Sequence, residues 1–160
     1  MSKLKFWWAS QKPVGGMLVS KGFILKTEDI VNNIGYCGLI CSLCHLAKDC
    51  GGCKSGNNSC GRYLSESGCY QYNCCRERNL NGCWECPDFN CGKDMFSDAH
   101  DVRLRAFVRF IRDEGLEKLA RCIIENEKNG IRYGHQKDYD GLGTEEAVIQ
   151  RLMAGARKEN

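Results

Sequence analysis

No stretch of this sequence approaches the roughly 18 consecutive apolar residues of a membrane span. A charged start, an apolar run of about 7 to 15 residues and a small-residue cleavage site would mark a secretory leader, and none is legible. The opening MSKLKFWWASQKPVGG breaks its aromatic cluster, Phe6 to Trp8, with polar residues and a proline. A reducing, cytoplasmic setting is therefore expected. H-E-x-x-H, G-x-S-x-G and a phosphate-loop lysine motif are all missing, and GLG at 141–143 is a lone turn-like glycine pair with no strand before it. There is no internal repeat and no low-complexity tract. At 160 residues the chain has no room for a large catalytic barrel.

Large apolar residues are also sparse between residues 37 and 91, where Leu39, Ile40, Leu43, Leu46, Leu64, Leu80, Trp84 and Phe89 stand with three tyrosines. That is too little apolar area to offset the ordering entropy of such a segment. Cysteine fills the same stretch. Of 13 cysteines, 12 fall in the 55 residues from Cys37 to Cys91. In a reducing compartment such density favours metal over disulfide, and structural zinc contributes apparent binding free energies of about 10–16 kcal/mol. Metal bonds are expected to supply the missing stability.

The formal charge of +3 does not point to nucleic acid. Residues 1–36 hold five Lys and two Asp/Glu, residues 37–91 five basic and five acidic, and residues 92–160 thirteen of each. All the excess lies near the N-terminus, and two tetrathiolate zinc sites, each contributing about −2, would carry the total to about −1. No basic patch remains for DNA or RNA. Lys3, Lys5 and Phe6 to Trp8 do not extend into an amphipathic helix that would lie on a membrane.

Three regions follow. Residues 1–34 read as an N-terminal appendage, with a short hairpin around Ser20–Gly22 and one helical turn over Asp29 to Asn33 after Thr27. Residues 35–95 form a small, irregular, zinc-knuckle-like module that metal stabilises and in which no hydrophobic period is sustained. Residues 96–160 form an α-helical subdomain. There Leu104, Phe107, Val108 and Ile111 make an amphipathic stripe capped by Asp98. Gly115 interrupts it, Leu116, Leu119, Ala120 and Ile123 resume it, and Asn129–Gly130 stop it. A loop with Tyr133, His135 and Tyr139 leads to a last helix capped by Thr144, with Ile149, Leu152 and Met153 on one face. Arg105, Arg109 and Arg112 lie on one stripe, and Asp101 and Asp113, four residues from two of them, suggest an ion-paired face.

Three C-x2-C pairs occur, Cys41/Cys44, Cys50/Cys53 and Cys83/Cys86. Two intervening residues let one tight turn place both sulfurs about 2.3 Å from a tetrahedral zinc. Cys50 and Cys53 are followed by Cys69 and Cys74, so C-x2-C-x15-C-x4-C makes a coherent four-sulfur set. A second set is expected from Cys41, Cys44, Cys86 and Cys91, with Cys37 and Cys83 as exchangeable members, and a centre sharing all six is the alternative. Cys60, Cys75 and Cys122 look spare, Cys122 as a small buried helical residue. His45 is a conceivable ligand, although the surplus of sulfur favours a packed or surface histidine.

Read together, YCGLICSLC (36–44), CGGC (50–53), GCYQYNCC (68–75) and CWECPDFNC (83–91) resemble a family of small cysteine-rich bacterial and archaeal proteins known as a domain of unknown function. The resemblance implies zinc binding by Cys37, Cys41, Cys44, Cys50, Cys53, Cys69, Cys74, Cys83, Cys86 and Cys91, and lends no activity. This chain departs from the family in having Asn90 where a proline usually precedes the last cysteine. It also has only Cys60 near the place of an additional family cysteine.

The functional expectation is a zinc-binding module with about two zinc ions, whose helices present a surface to a protein partner. An iron–sulfur redox or sensor protein is the alternative, because Cys37, Cys41 and Cys44 follow the C-x3-C-x2-C spacing of a cubane. A metal-dependent enzyme is the second alternative. Its only compact polar-aromatic set is Tyr133, His135, Asp138 and Tyr139, which reads more simply as an anchored loop.

Overall fold

The computed structural model describes residues 25–56 and 66–155. Every regular element among them is helical: α1 (Thr27–Asn32), α2 (Tyr70–Glu77), α3 (Arg103–Glu114), α4 (Leu116–Lys128) and α5 (Glu145–Leu152). Short 3₁₀ turns occur at Cys41–Leu43, Cys83–Glu85 and Asp94–Phe96, and Ile34 and Ile40 form an isolated antiparallel bridge. The hairpin expected around Ser20–Gly22 and the residue Cys60 lie outside the described residues.

Helix α3 buries the expected stripe, Leu104, Phe107, Val108 and Ile111, and also Ala106 and Phe110. It stops at Glu114 because Gly115 takes φ +89°, a left-handed conformation that costs glycine little. Helix α4 then buries Leu119, Ala120 and Ile123, with Cys122 beside them at 2% exposure. Helix α1 covers α4, and α5 lies against both α3 and α4. Ile30, Ile34 and Ile40 share this helical core, so the chain leading into the cysteine-rich stretch is anchored on the helices. A second cluster joins Cys37, Cys75 and Cys83 to Phe96, Leu104 and Val108. One face of α3 is thus the floor on which the sulfur-rich segment rests.

Three local expectations change. Asp98 does not cap α3, which starts only at Arg103; Asp101 Oδ1 accepts from the Arg103 N–H at 2.8 Å instead. The arginine stripe pairs across helices rather than along one. Arg105 meets Glu145 at 3.4 Å and Arg109 meets Glu146 at 2.7 Å, whereas Arg112 donates to the Cys86 carbonyl at 3.4 Å. Because α5 crosses α3, the acids of its first turn reach those arginines while they also favour its own helix dipole. Finally, α2 is a helix where no period was expected. Its buried side is Gln71 and Cys75, one turn apart and neither a large apolar residue. Gln71 Nε2 donates to the Lys93 carbonyl at 2.7 Å. Thr144 does cap α5, accepting from the Ala147 N–H at 3.2 Å.

The loop after α4 is fastened from within. Asn126 is fully buried; its amide nitrogen donates toward Tyr139 Oη at 2.7 Å and toward the Arg151 and Leu152 carbonyls at 3.0 Å each. Its Oδ1 accepts from the Gly155 N–H at 2.8 Å. Removing that side chain orphans buried partners, which cost about 1–3 kcal/mol each when left unmade. Asn126→Ala is expected to lower unfolding stability by roughly 2–4 kcal/mol in urea titrations, well beyond Tyr139→Phe. A smaller shift for Asn126→Ala than for Tyr139→Phe would contradict this role.

Candidate metal centre

Residues 33–41 form a tight loop. The Gly35 N–H donates to the Leu39 carbonyl at 2.8 Å, and the Cys41 N–H to the Asn33 carbonyl at 2.7 Å. The loop carries Cys37, which is buried against α3, and releases Cys41 into a 3₁₀ turn that brings Cys44 back beneath it. The Leu46 N–H then points at Cys44 Sγ at 3.5 Å. Such amide donors stabilise thiolate over thiol.

Cys41 and Cys53 meet at Gly35. A Cβ on residue 35 would stand 3.1 Å from both sulfurs, tighter than ordinary contact, so the two thiols close over a backbone that carries no side chain. The Cys53 thiol donates to Cys41 and pulls it down to about 6; backbone N–H groups of Cys53 and Gly35 and the Lys54 ammonium act in the same direction, against burial. Burial pushes Cys44 up, and Cys41 and Cys50 add to that through their charge. Cys41, Cys44, Cys50 and Cys53 therefore form one electrostatic neighbourhood.

A second neighbourhood surrounds Cys83, whose N–H donates to the Tyr36 carbonyl at 2.9 Å. Its Sγ lies 3.6 Å from Cys75 Sγ. The Cys83 thiol donates to Cys75 and is itself held protonated, by that bond first, then by burial and the nearby Cys75, Cys37 and Cys86. Cys75 is correspondingly pulled down. Arg78 donates to Cys86 Sγ at 3.2 Å and to Asp88 at 2.9 Å, and its guanidinium also bonds Cys74. Cys69, at the start of α2, is buried and pushed up by that burial, with the Tyr72 and Gln71 N–H groups opposing it. Cys91 is exposed.

These contacts add pairs that the spacing did not single out. The expected set joined Cys50 and Cys53 to Cys69 and Cys74; among the described contacts, Cys53 stands beside Cys41. Cys75, expected to be spare, stands against Cys83 in the buried cluster, while its neighbour Cys74 is only half-buried. The i, i+4 pairing of Gln71 with Cys75 on α2 was the signal for this, and it is visible only once that stretch is read as a helix. All twelve described cysteines are outside disulfides. Among the described residues, no group of three or more His, Cys, Asp or Glu side chains is set to hold a metal ion.

His45 is exposed, with Nδ1 3.8 Å from Cys44 Sγ and its ring centroid 5.1 Å from that of His135. Partial burial lowers its pKa, and His135 and Arg103 contribute. The Tyr133 to Tyr139 loop is an anchor. Tyr133 Oη accepts from the Ile40 N–H at 2.9 Å, and Arg103 donates to the Gly134 carbonyl at 2.8 Å. Arg103 also pairs with Asp140 at 2.9 Å, off the hydrogen-bond line.

Comparisons with protein-family models, curated proteins and solved structures find no match. No helix among the described residues is long and apolar enough to cross a membrane.

Gly35→Ala is expected to force Cys41 and Cys53 apart and to destabilise the fold by about 1–3 kcal/mol, the usual cost of overpacking a tight contact. Gly56→Ala, where a Cβ would meet nothing within 4 Å and φ is not positive, is the matched control. Equal losses in thermal denaturation would show that closure over Gly35 contributes nothing.

Proposed function

We propose that the chain is a zinc-binding, cysteine-rich module in which sulfur ligation is structural and the helices offer a protein partner a stable surface. The observation that supports it is the 3.6 Å approach of Cys75 Sγ and Cys83 Sγ. Four sulfurs bound tetrahedrally at about 2.3 Å stand about 3.8 Å apart, so this pair already has the separation of two ligands on one zinc. The closure of Cys41 and Cys53 over Gly35 supports a second such pair.

Thiols are the donors that a structural zinc takes. Both neighbourhoods are thiol-rich, and amide N–H groups and cations turn toward their sulfurs, as a thiolate site requires. Zinc, when bound, supplies cross-links in a segment with little apolar area. The chain's own residues then have defined tasks. Cys41, Cys44, Cys50 and Cys53 close one loop, while Cys37, Cys75, Cys83 and Cys86 tie α2 and the 83–86 turn to the 36–38 loop above α3. A reducing, cytoplasmic location belongs to the same reading, because it keeps the thiols available.

Elemental analysis of protein purified without added metal is expected to give about two zinc per chain. Cys53→Ser and Cys83→Ser should each lose about one, and Cys122→Ser none. Unchanged metal content in both Cys53→Ser and Cys83→Ser, or equal loss in Cys122→Ser, would refute the assignment.

A further inference from the structure

Beside the second sulfur neighbourhood lies an open cleft of about 470 Å³, lined by Tyr36, Lys54, Cys75, Arg76, Asn79, Leu80 and Asn81. That volume falls within the roughly 300–1,000 Å³ of small-molecule sites. Two of its lining side chains are cations. Lys54 and Arg76 both face it, and neither pairs with a carboxylate within 4.0 Å among the described residues, whereas Arg78, Arg103, Arg105, Arg109, Arg121 and Arg132 all do. Lys54 Nζ stands 5.1 Å from the Trp84 ring centroid and 5.6 Å from that of Tyr36, which holds the ammonium at the cleft wall. Arg76 gives one bond to Tyr72 Oη at 3.0 Å, and a guanidinium has five N–H donors.

Two opposing groups are already engaged. Glu85, the carboxylate whose charge acts on Lys54, accepts from the Asn81 N–H and from Asn81 Nδ2, both at 2.8 Å, so both its oxygens are turned into that loop. At the C-terminal end of α2, the Arg76 and Cys75 carbonyls accept from the Asn79 N–H at 3.3 Å and the Leu80 N–H at 2.8 Å. The cleft is thus lined by an ammonium and a guanidinium together with Cys75, Asn79 and Asn81, beside Leu80 and Tyr36.

We infer that this cleft binds a small organic phosphate monoester, with the phosphate between Lys54 and Arg76 and the organic body toward Leu80 and Tyr36. A phosphate monoester carries close to two negative charges at neutral pH and accepts charge-assisted bonds from both cations; a carboxylate offers one charge. The cleft's volume exceeds what an inorganic anion alone needs. This goes beyond the zinc reading; Cys75 lines the cleft and Lys54 acts on Cys41, Cys53 and Cys75, so Arg76→Gln, with metal content measured on the same protein, is the variant that separates the two.

The test is calorimetric titration of the full chain, metal content verified, with phenyl phosphate and with benzoate. Phenyl phosphate should bind saturably and more tightly than benzoate, and Arg76→Gln should weaken it about tenfold with metal content and helicity unchanged. Lys54→Gln should weaken it similarly, while Arg121→Gln, an exposed α4 residue paired with Glu117, should not. No saturable binding, undiminished binding to Arg76→Gln, or equal weakening by Arg121→Gln would overturn the proposal. Benzoate binding as tightly as phenyl phosphate would overturn the choice of phosphate.

Discussion

Among the described residues from Tyr36 to Cys86, sulfur packs against sulfur and beside main-chain amides, in a stretch whose sequence has few large apolar side chains to bury. Cys41 and Cys53 close over Gly35, and Cys75 meets Cys83 beneath the Tyr36 loop. What a core of leucines would do elsewhere is done here by short polarizable groups that leave little space for a Cβ between them. The segment's turns follow from this. Its helical pieces are short, and each begins or ends near a cysteine.

The helices give this arrangement its fixed reference. Helix α3 belongs to both hydrophobic clusters, presenting Phe107 and Ile111 to the core it shares with α4 and α5 and presenting Leu104 and Val108 to the sulfur-rich side. Two buried polar side chains fasten the remaining loop. Asn126 ties α4 to the end of α5, and Arg103 ties α3 to the Gly134 and Asp140 backbone region. Tyr133 then reaches back to the Ile40 amide, so the residue just before Cys41 is positioned by a loop far along the chain. Lys54, between the Tyr36 and Trp84 rings, lies within the electrostatic reach of Cys41, Cys53 and Cys75, and links the two sulfur neighbourhoods.

Where apolar period and turn chemistry agree, the structure was legible in advance. The stripe of α3, the Gly115 break, the Asn129–Gly130 stop and the Thr144 cap all follow from local rules that tertiary contacts reinforce. Helix α2 escaped because its inward positions are a glutamine and a cysteine, which carry no hydrophobic period. Asp98 was a sound cap by type, but the Asp94–Phe96 turn and the Arg105 contact occupy that stretch, and Asp101 takes the role. The arginine partners could not be seen because they depend on how α5 crosses α3. Sulfur proximity was the least legible feature: C-x2-C spacing shows which thiols share a turn, whereas which turns meet depends on loops such as 33–41 folding back on the helices.

Central to the proposed function is that thiolates alone would hold zinc in this module. X-ray absorption at the zinc edge, on protein purified in the absence of air and without added metal, tests it most directly. The account predicts a first shell of four sulfurs at about 2.3 Å. A shell dominated by nitrogen or oxygen, or iron with inorganic sulfide in place of zinc, would contradict it.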